Sequence, residues 1–242
     1  MELPRKKSSG IDTKVIDYIK IAQDWNQYFP SIRKGNTGVG MTLEYLCGIA
    51  ENNIKGPDLF DAEMKTKRLD SDCLLTLFTS NPYRAVRKLT TDYGTDAYDA
   101  DGNLSRRRLY HTVKNGHSEL FSLRDAEDGM TLINNDEVVA KWTTAQLSRA
   151  TSKLTNLCLI DAKARTAEDG SEHFKYIGFT YYHGFDPQAF YDLLLEGGAY
   201  VDFRAHYCHV KKKLRDHGTA FRINPDKLSG LYDGHERVWL SN

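Results

Sequence analysis

No stretch of this 242-residue sequence is apolar for long enough to cross a lipid bilayer. Its first residues also lack the successive basic, apolar and small-residue regions of a signal peptide. Internal repeats, low-complexity tracts and a clear interdomain linker are absent too. We therefore expect a cytoplasmic globular protein, and 40% hydrophobic residues allow a chain of this length to bury a substantial core.

Cysteine is scarce and scattered, and no Cys-x-x-Cys pair occurs among Cys47, Cys73, Cys158 and Cys208. We expect reduced, mostly buried thiols. The run from His206 to His209 superficially resembles a zinc cluster. On a strand, however, His206 and Cys208 would share one face while His209 took the other, and no second ligand pair lies at a zinc spacing. The pattern therefore does not favour a zinc site.

An excess of one charge is also missing. Lys and Arg number 33, and Asp and Glu number 33, whereas a protein that binds phosphate backbones nonspecifically usually has a basic excess. Any attraction to phosphate must therefore be local. The neutral balance favours site-specific recognition over general phosphate binding.

The densest basic segment lies in the last quarter of the chain. Five cations occur in the twelve residues 211–222, namely Lys211, Lys212, Lys213, Arg215 and Arg222. This density suits phosphates, and the turn around His217 could present its imidazole to a base edge. The alternative is a basic surface turn before a strand. The run from Arg106 to Arg108 leaves the same two possibilities open, and Lys153 is either a phosphate contact or an ordinary cation at a helix end.

Residues 56–65, Gly-Pro-Asp-Leu-Phe-Asp-Ala-Glu-Met-Lys, carry the most informative pattern. A strand starting at Ala62 would project Glu63 and Lys65 from one face, with Asp58 arriving from the preceding turn. Two carboxylates can hold a hard divalent cation such as Mg2+, and a lysine can orient water or stabilise charge on a phosphate. The pattern indicates metal-dependent phosphodiester hydrolysis. The alternative is a solvated, charged strand edge.

Residues 38–49 predict a glycine-rich turn that enters a short helix. Met41, Leu43, Leu46 and Cys47 would form its buried stripe. Taken alone, Glu44 would lie on the polar face of an ordinary amphipathic helix.

Taken together, the two segments resemble the active-site region of the MvaI/BcnI-type restriction endonucleases and of the MutH-type mismatch-repair nickases. Gly-x-Gly-x-x-Leu-Glu, ending at Glu44, is followed about a dozen residues later by Asp58 and then by Glu63-x-Lys65, the PD...ExK nuclease pattern. On this resemblance Glu44 matches the helix-borne acidic residue of the family. Asp58 and Glu63 match its metal-binding carboxylates, and Lys65 matches its catalytic lysine.

The segment from Leu214 to Ile223 is similar to the late segment that reaches DNA in these enzymes. With the basic residues above, the candidate DNA contacts are Lys153, Lys211, Arg215, Asp216, His217 and Arg222. Between about Leu69 and Thr143 no similarity is apparent, so the recognised DNA sequence is not predicted.

The resemblance implies a mixed α/β (α+β) fold with a PD...ExK restriction-endonuclease-like core, a mixed sheet and two lobes around a DNA cleft. We expect residues 1–242 to form a single endonuclease unit, with a catalytic lobe that includes about 30–95 and a DNA-recognition lobe drawn from about 100–225. The implied activity is site-specific, Mg2+-dependent cleavage of double-stranded DNA by a monomer that leaves 5′-phosphate and 3′-hydroxyl ends. A restriction enzyme would also have a cognate DNA methyltransferase as its genetic partner.

Two alternatives remain at this stage. A MutH-like strand-specific nickase would use the same residues under control of a partner protein, but the gap of four residues between Asp58 and Glu63 is more typical of the restriction enzymes. A non-catalytic DNA-binding module on a nuclease fold would not need all four of the residues that match the active site.

Periodicity predicts further elements. A helix is expected within 11–28, and an apolar strand over 73–78 is expected beside the strand that carries Glu63. Asn115-Gly116 predicts a hairpin between strands over 107–113 and 118–123. Other expectations are helices over 143–153 and 187–196 and strands over 154–162, 174–182 and 199–206. Aromatic residues in the strand over 174–182 are expected in the core, with base stacking as the alternative.

Overall fold

The structure, a computed structural model, describes residues 2–8, 10–49 and 56–240. The α-helices are α1 (Thr13–Ala22), α2 (Gly38–Leu46), α3 (Val86–Tyr93), α4 (Thr144–Thr151) and α5 (Pro187–Leu195). The strands are β1 (Phe29–Pro30), β2 (Ala62–Arg68), β3 (Leu75–Thr79), β4 (Thr95–Tyr98), β5 (Leu104–Lys114), β6 (Ser122–Ala126), β7 (Gly129–Asn134), β8 (Glu137–Trp142), β9 (Asn156–Thr166), β10 (Glu172–Phe185), β11 (Ala199–Cys208), β12 (Lys213–Asp216), β13 (Ala220–Ile223) and β14 (Tyr232–Trp239). Short 3-10 helices cover Ser152–Leu154 and Pro225–Leu231.

The chain divides into two compact units, each assembled from separate segments. The first, called the β2 unit, comprises the described residues of 5–73, 152–186 and 228–242. The second, the β11 unit, comprises those of 1–4, 74–151 and 187–227. The contiguous ranges expected for two lobes, about 30–95 and 100–225, are therefore each divided between the units.

The β2 unit contains one mixed sheet in the order β1-β10-β9-β2, with β14 also paired to β10. The strands β2 and β9 run parallel, and the other pairs are antiparallel. The turn at Glu168-Asp169-Gly170 joins β9 to β10. The mixed α/β fold expected from the sequence is confirmed.

Helices α1 and α2 belong to the same core as one face of this sheet. Asp12 begins α1 by accepting a hydrogen bond from the Lys14 backbone N–H at 2.9 Å. The helix ends at Ala22, earlier than the predicted range, and the Trp25 indole donates to the Ile19 carbonyl at 2.8 Å. This bond satisfies one of the carbonyls that a helix end leaves unpaired.

The aromatic residues of β10 lie in the core, which is the location predicted for them from the sequence. Tyr176, Phe179 and Tyr181 are fully buried, and Tyr182 is almost so. Tyr176 packs edge-on against Trp25 and donates its hydroxyl to the Val39 carbonyl of α2 at 2.8 Å. This hydrogen bond connects α2 to the sheet.

The β11 unit contains two sheets. A six-stranded sheet has the order β3-β13-β11-β5-β4, with β12 also paired to β11, and a three-stranded sheet has the order β6-β7-β8. Its core includes Trp142, which packs edge-on against Phe221 and donates its indole N–H to the Ser80 carbonyl at 2.8 Å. The strand β11 is central because β5, β12 and β13 all pair with it.

Two predicted strand pairings are wrong. The apolar strand near 73–78 forms as β3, but it pairs with β13 rather than with the Glu63 strand, whose partner is β9. The hairpin across Asn115-Gly116 does not form because β5 pairs with β4 and β11, whereas β6 pairs with β7. Tertiary context decides pairing, and apolar content alone does not specify a partner strand.

The four cysteines are unpaired, with Cys47 and Cys158 buried, Cys208 partly buried and Cys73 exposed. Burial raises the pKa of the Cys47 thiol to about 12. That thiol therefore stays protonated near neutral pH. None of the helices in the described part of the chain is both long and apolar enough to span a membrane.

Replacing Tyr176 with Phe should lower the free energy of unfolding by about 1 kcal/mol, because it removes a buried hydrogen bond with little change in volume. Urea denaturation of both proteins, with an unchanged m-value, measures the difference. Tyr98→Phe is the matched control, since Tyr98 is 63% exposed. Equal stability of the Tyr176→Phe variant and the parent would contradict the role given to this hydroxyl.

Candidate active site

The sequence places Glu63 and Lys65 on the same face of β2, and the structure joins them directly. The Lys65 Nζ atom donates to Glu63 Oε1 at 2.6 Å. The Glu63 side chain is only 1% exposed. A carboxylate this deeply buried needs a cationic partner, because the cost of leaving water is high for an unpaired charge.

A tight turn brings Asp58 to the same strand. The backbone groups of Leu59 and Ala62 exchange two hydrogen bonds of 3.0 and 2.8 Å, and Phe60 between them has a left-handed φ of 52°. Such a conformation is unusual for a bulky side chain. The turn directs Asp58 back toward β2, where its Oδ2 atom accepts the Met64 backbone N–H at 2.9 Å.

A second lysine reaches Glu63 from another part of the chain. Lys153 lies in the 3-10 helix Ser152–Leu154, immediately before β9, and β9 runs parallel to β2 with Leu157 opposite Glu63. The Lys153 Nζ atom donates to Glu63 Oε1 at 2.5 Å. Lys153 was predicted to be a phosphate contact or a helix-end cation, and the structure shows that it pairs with the buried carboxylate.

The electrostatics of the site disfavour the ionised form of Asp58. Burial raises the pKa of Asp58, and the nearby charge of Glu63 raises it further, while the Met64 N–H, Lys65 and Lys153 act in the opposite direction. Glu63 Oε2 is buried and has no hydrogen-bond partner among the described residues. The unsatisfied oxygen and the raised pKa are features typical of functional sites.

Helix α2 places Glu44 beside this group. The helix begins at Gly38, so the glycines lie within its first turn rather than in a preceding loop. A Cβ atom at Gly38 would meet the Arg33 carbonyl oxygen at 2.4 Å, so only glycine fits there. Glu44 is partly buried, and with Lys65 it lines a cavity of about 120 Å³ between α2 and β2.

A larger cavity of about 400 Å³ borders the turn at Phe60 and Asp61. Lys153 lines it together with Lys6, Lys7 and Ser8 of the N-terminal segment. The Ser8 hydroxyl donates to Asn156 Oδ1 at 2.9 Å, and the Asn156 amide donates to Asp61 Oδ2 at 2.7 Å. These bonds hold the N-terminal segment against the turn that precedes β2. Because Lys6 and Lys7 of that segment line the cavity with Lys153, the cavity wall is basic.

The donor set at β2 fits a magnesium-like cation. No group of three or more His, Cys, Asp or Glu side chains converges on a metal site within the described ranges. Mg2+, however, commonly uses one or two carboxylates and fills its other positions with water and substrate phosphate. Asp58 and the unpartnered Oε2 atom of Glu63 supply two such oxygen donors.

The remaining predicted site residues lie in the β11 unit. Lys211, Arg215 and His217 are exposed on or beside the hairpin of β11 and β12. His206 on β11 lies opposite Arg108 of β5 and Arg215 of β12. Burial lowers the pKa of His206, and the charges of Arg106, Arg215, His217 and Arg108 lower it further. These cations therefore form a common basic surface.

Asp216 and Arg222 instead have partners within the unit. Asp216 accepts hydrogen bonds from the Asn81 amide at 2.7 Å and from the Gly218 N–H at 2.8 Å. Arg222 donates to Asp202 Oδ2 at 3.1 Å and to the Leu74 carbonyl at 3.0 Å. Both side chains thus stabilise the ends of neighbouring strands and loops. Arg107 is likewise paired, with Asp96 at 2.7 Å.

Sequence reasoning missed the convergence of Lys153, Lys6 and Lys7 on the β2 site. Lys153 is 90 positions from Glu63 along the chain, and only the parallel pairing of β2 with β9 brings the two together. The basic pair Lys6-Lys7 was visible in the sequence, but nothing local connected it with the site.

A buried Glu-x-Lys pair on a strand of a mixed sheet, with an aspartate in the turn before it, defines a nuclease of the PD...ExK class. The chain belongs to the MvaI/BcnI restriction endonuclease family, which it matches over residues 18–232. It is therefore a type II site-specific deoxyribonuclease.

Two solved structures are similar to this chain. The complex of restriction endonuclease MvaI with its cognate DNA substrate has a TM-score of 0.78 and 27% identity, over 96% of this chain and 100% of that chain. MvaI in the absence of DNA has a TM-score of 0.53 and 27% identity, over 94% of this chain and 99% of that chain. No curated protein sequence matches significantly.

Asp58→Asn should stabilise the metal-free protein at neutral pH. Because the folded state raises the pKa of Asp58, it binds this proton more tightly than the unfolded chain does, and ionised Asp58 lowers stability at pH 7. The neutral amide removes that cost and can still accept the Met64 N–H. The gain should shrink as the pH falls toward the ordinary carboxyl pKa of about 3.9, and it should vanish well below that pH, where Asp58 is protonated in both states.

Melting temperatures in EDTA at several pH values between about 4 and 8 test this expectation. Asp101→Asn, in an exposed turn before β5, controls for the change in net charge. A lower melting temperature for Asp58→Asn at pH 7 would contradict the electrostatic account of this site.

Proposed function

We propose that this restriction endonuclease hydrolyses double-stranded DNA in a Mg2+-dependent reaction that leaves 5′-phosphate and 3′-hydroxyl ends. The observation that supports this most is the gathering of Asp58, Glu63 and Lys65 at β2, where Asp58 accepts the Met64 N–H and Lys65 donates to the buried carboxylate of Glu63. We further propose that the β2 unit is the catalytic lobe and that the β11 unit carries much of the DNA recognition.

Asp58 and Glu63 would hold the cation through Oδ and Oε2 oxygens. When bound, Mg2+ would polarise the scissile phosphate and lower the pKa of the attacking water. Lys65 would orient that water or stabilise the charge that develops on the phosphate. Glu44 would act beside them, because it borders the same small cavity as Lys65.

The basic surface of the β11 unit is the proposed DNA contact. MvaI, the similar solved protein, is described as bound to its cognate DNA substrate, and we extend that mode of binding to this chain. Lys211, Arg215 and His217 are exposed, and Arg106 and Arg108 extend the surface across β5. Clustered cations compensate for the zero net charge of the chain.

Among the residues that the sequence marked as candidate DNA contacts, Asp216 and Arg222 would support this surface rather than touch DNA. Both carboxylate oxygens of Asp216 are hydrogen-bonded, and Arg222 donates to Asp202 and to the Leu74 carbonyl. We also propose that the enzyme acts as a monomer and is encoded beside a cognate DNA methyltransferase. Size-exclusion chromatography with light scattering and inspection of adjacent genes test these two points.

The purified protein should cut unmethylated phage DNA at discrete sites when Mg2+ is present, and cutting should stop in EDTA. Lys65→Ala should abolish cleavage, because it removes the ammonium that contacts the reacting group. Sequencing the fragment ends identifies the target, and end-labelling with and without phosphatase identifies the 5′-phosphate.

Three other outcomes would count against the proposal. Cleavage that survives Lys65→Ala would show that the active-site assignment is wrong. Nicking of one strand only, dependent on an added partner protein, would favour a MutH-like nickase. Binding to DNA without cleavage under any methylation state would indicate a non-catalytic module.

Arg215→Ala and Arg222→Ala should separate DNA contact from structural support. Arg215→Ala should weaken DNA binding and reduce the slope of log affinity against log salt by about 1, with unchanged stability. Arg222→Ala should instead lower the free energy of unfolding by about 1–3 kcal/mol, since Asp202 loses a charged partner. Binding titrations in EDTA at several salt concentrations, with urea denaturation of each variant, measure both effects. Lower stability of Arg215→Ala, or weaker DNA binding by an equally stable Arg222→Ala variant, would contradict the interpretation.

A further inference from the structure

Glu63 has two cationic partners on one oxygen. Lys65 and Lys153 both donate to Oε1, at 2.6 and 2.5 Å. In the part of the chain that the structure describes, the other oxygen, Oε2, has no partner. The bonding is therefore uneven, with two ammonium groups on one side of the carboxylate and a free coordination position on the other.

Lys65 and Lys153 differ in how freely each can move away from Glu63. Lys65 lies on β2, two residues from Glu63, so the strand itself brings its ammonium to the carboxylate. Lys153 comes from a three-residue 3-10 helix and lines the 400 Å³ cavity. Its side chain is 29% exposed. A rotation about its own flexible side chain could carry the ammonium into the cavity.

The cavity has the charge to receive an anion. Lys6, Lys7 and Lys153 line it, against the single carboxylate of Asp61. One oxygen of Asp61 is already bonded to Asn156. The chemical class that fits a basic cavity beside a phosphodiester-cleaving centre is a backbone phosphate of the bound strand.

We propose that Lys153 is the counter-cation of Glu63 before the divalent cation binds, and that it then becomes a ligand of a DNA phosphate in the adjoining cavity. This inference rests on the proposed Mg2+-dependent activity. A cation at Glu63 and the ammonium of Lys153 repel each other, so each weakens binding of the other. A phosphate in the cavity offers Lys153 a new anionic partner.

If Lys153 has this role, replacing it should change cation affinity and cleavage rate in opposite directions. Lys153→Met removes a positive charge that competes with the cation, so the variant should bind Mn2+ more tightly than the parent, by at least about threefold. The same change removes a phosphate contact, so the single-turnover cleavage rate at saturating Mg2+ should fall on the order of tenfold or more. Lys153→Arg keeps the charge and should retain the parent's Mn2+ affinity and recover part of the rate.

Mn2+ binding to the DNA-free protein is measured by electron paramagnetic resonance at constant ionic strength, and cleavage by rapid quench. Lys163→Met is the matched control, because Lys163 is exposed on β9 and pairs with Lys175 at the far end of the sheet. It makes the same change in net charge and should alter neither quantity. Circular dichroism verifies that each variant is folded.

Unchanged or weaker Mn2+ binding by a folded Lys153→Met variant would overturn the proposal, since a purely structural lysine would only loosen the site. A normal cleavage rate at saturating Mg2+ would overturn the phosphate contact. Failure of the parent protein to cleave any DNA with Mg2+ would instead overturn the proposed function, and the Mn2+ comparison would still decide whether Lys153 competes with a cation at Glu63.

Discussion

The buried carboxylate of Glu63 is the constraint on which the site depends. A side chain that is 1% exposed can remain ionised only if cations and hydrogen bonds replace the water it has lost. Lys65 is supplied by the same strand, but Lys153 must be brought from a distant segment. The parallel pairing of β2 with β9 does this, because it fixes where the 3-10 helix before β9 must end.

The rest of the β2 unit supports the pairing of β2 with β9 through the core on the other face of the sheet. The aromatic residues of β10 fill the core, and Tyr176 connects the sheet to α2 through the Val39 carbonyl. Helix α2 in turn places Glu44 against the cavity that Lys65 also borders. Core packing therefore positions the polar groups, in agreement with the general need for a rigid scaffold behind a catalytic constellation.

The site itself keeps features that reduce stability. The raised pKa of Asp58, the unpartnered oxygen of Glu63 and the left-handed Phe60 all lie within a few residues of one another. Each is costly in a protein that only has to fold. Their concentration at one turn is explained if a cation and a phosphate complete the arrangement, which is the usual relation between function and local strain.

The sequence by itself determined the local chemistry of this protein. Alternation along a strand is enough to place Glu63 beside Lys65, and the short gap to Asp58 requires a turn that returns to the strand. Periodicity also located α1, α2, α4 and α5 and about half of the strands, whereas α3, β7, β8 and β14 were not predicted. Only the tertiary structure decided the partners. It paired β2 with β9 instead of β3, placed Lys153 on Glu63, and bonded Arg222 to Asp202 within the β11 unit. Local patterns arise from backbone geometry and are readable in a few residues, whereas pairing depends on how the whole core packs, so residues 90 positions apart can meet without any sign in the sequence.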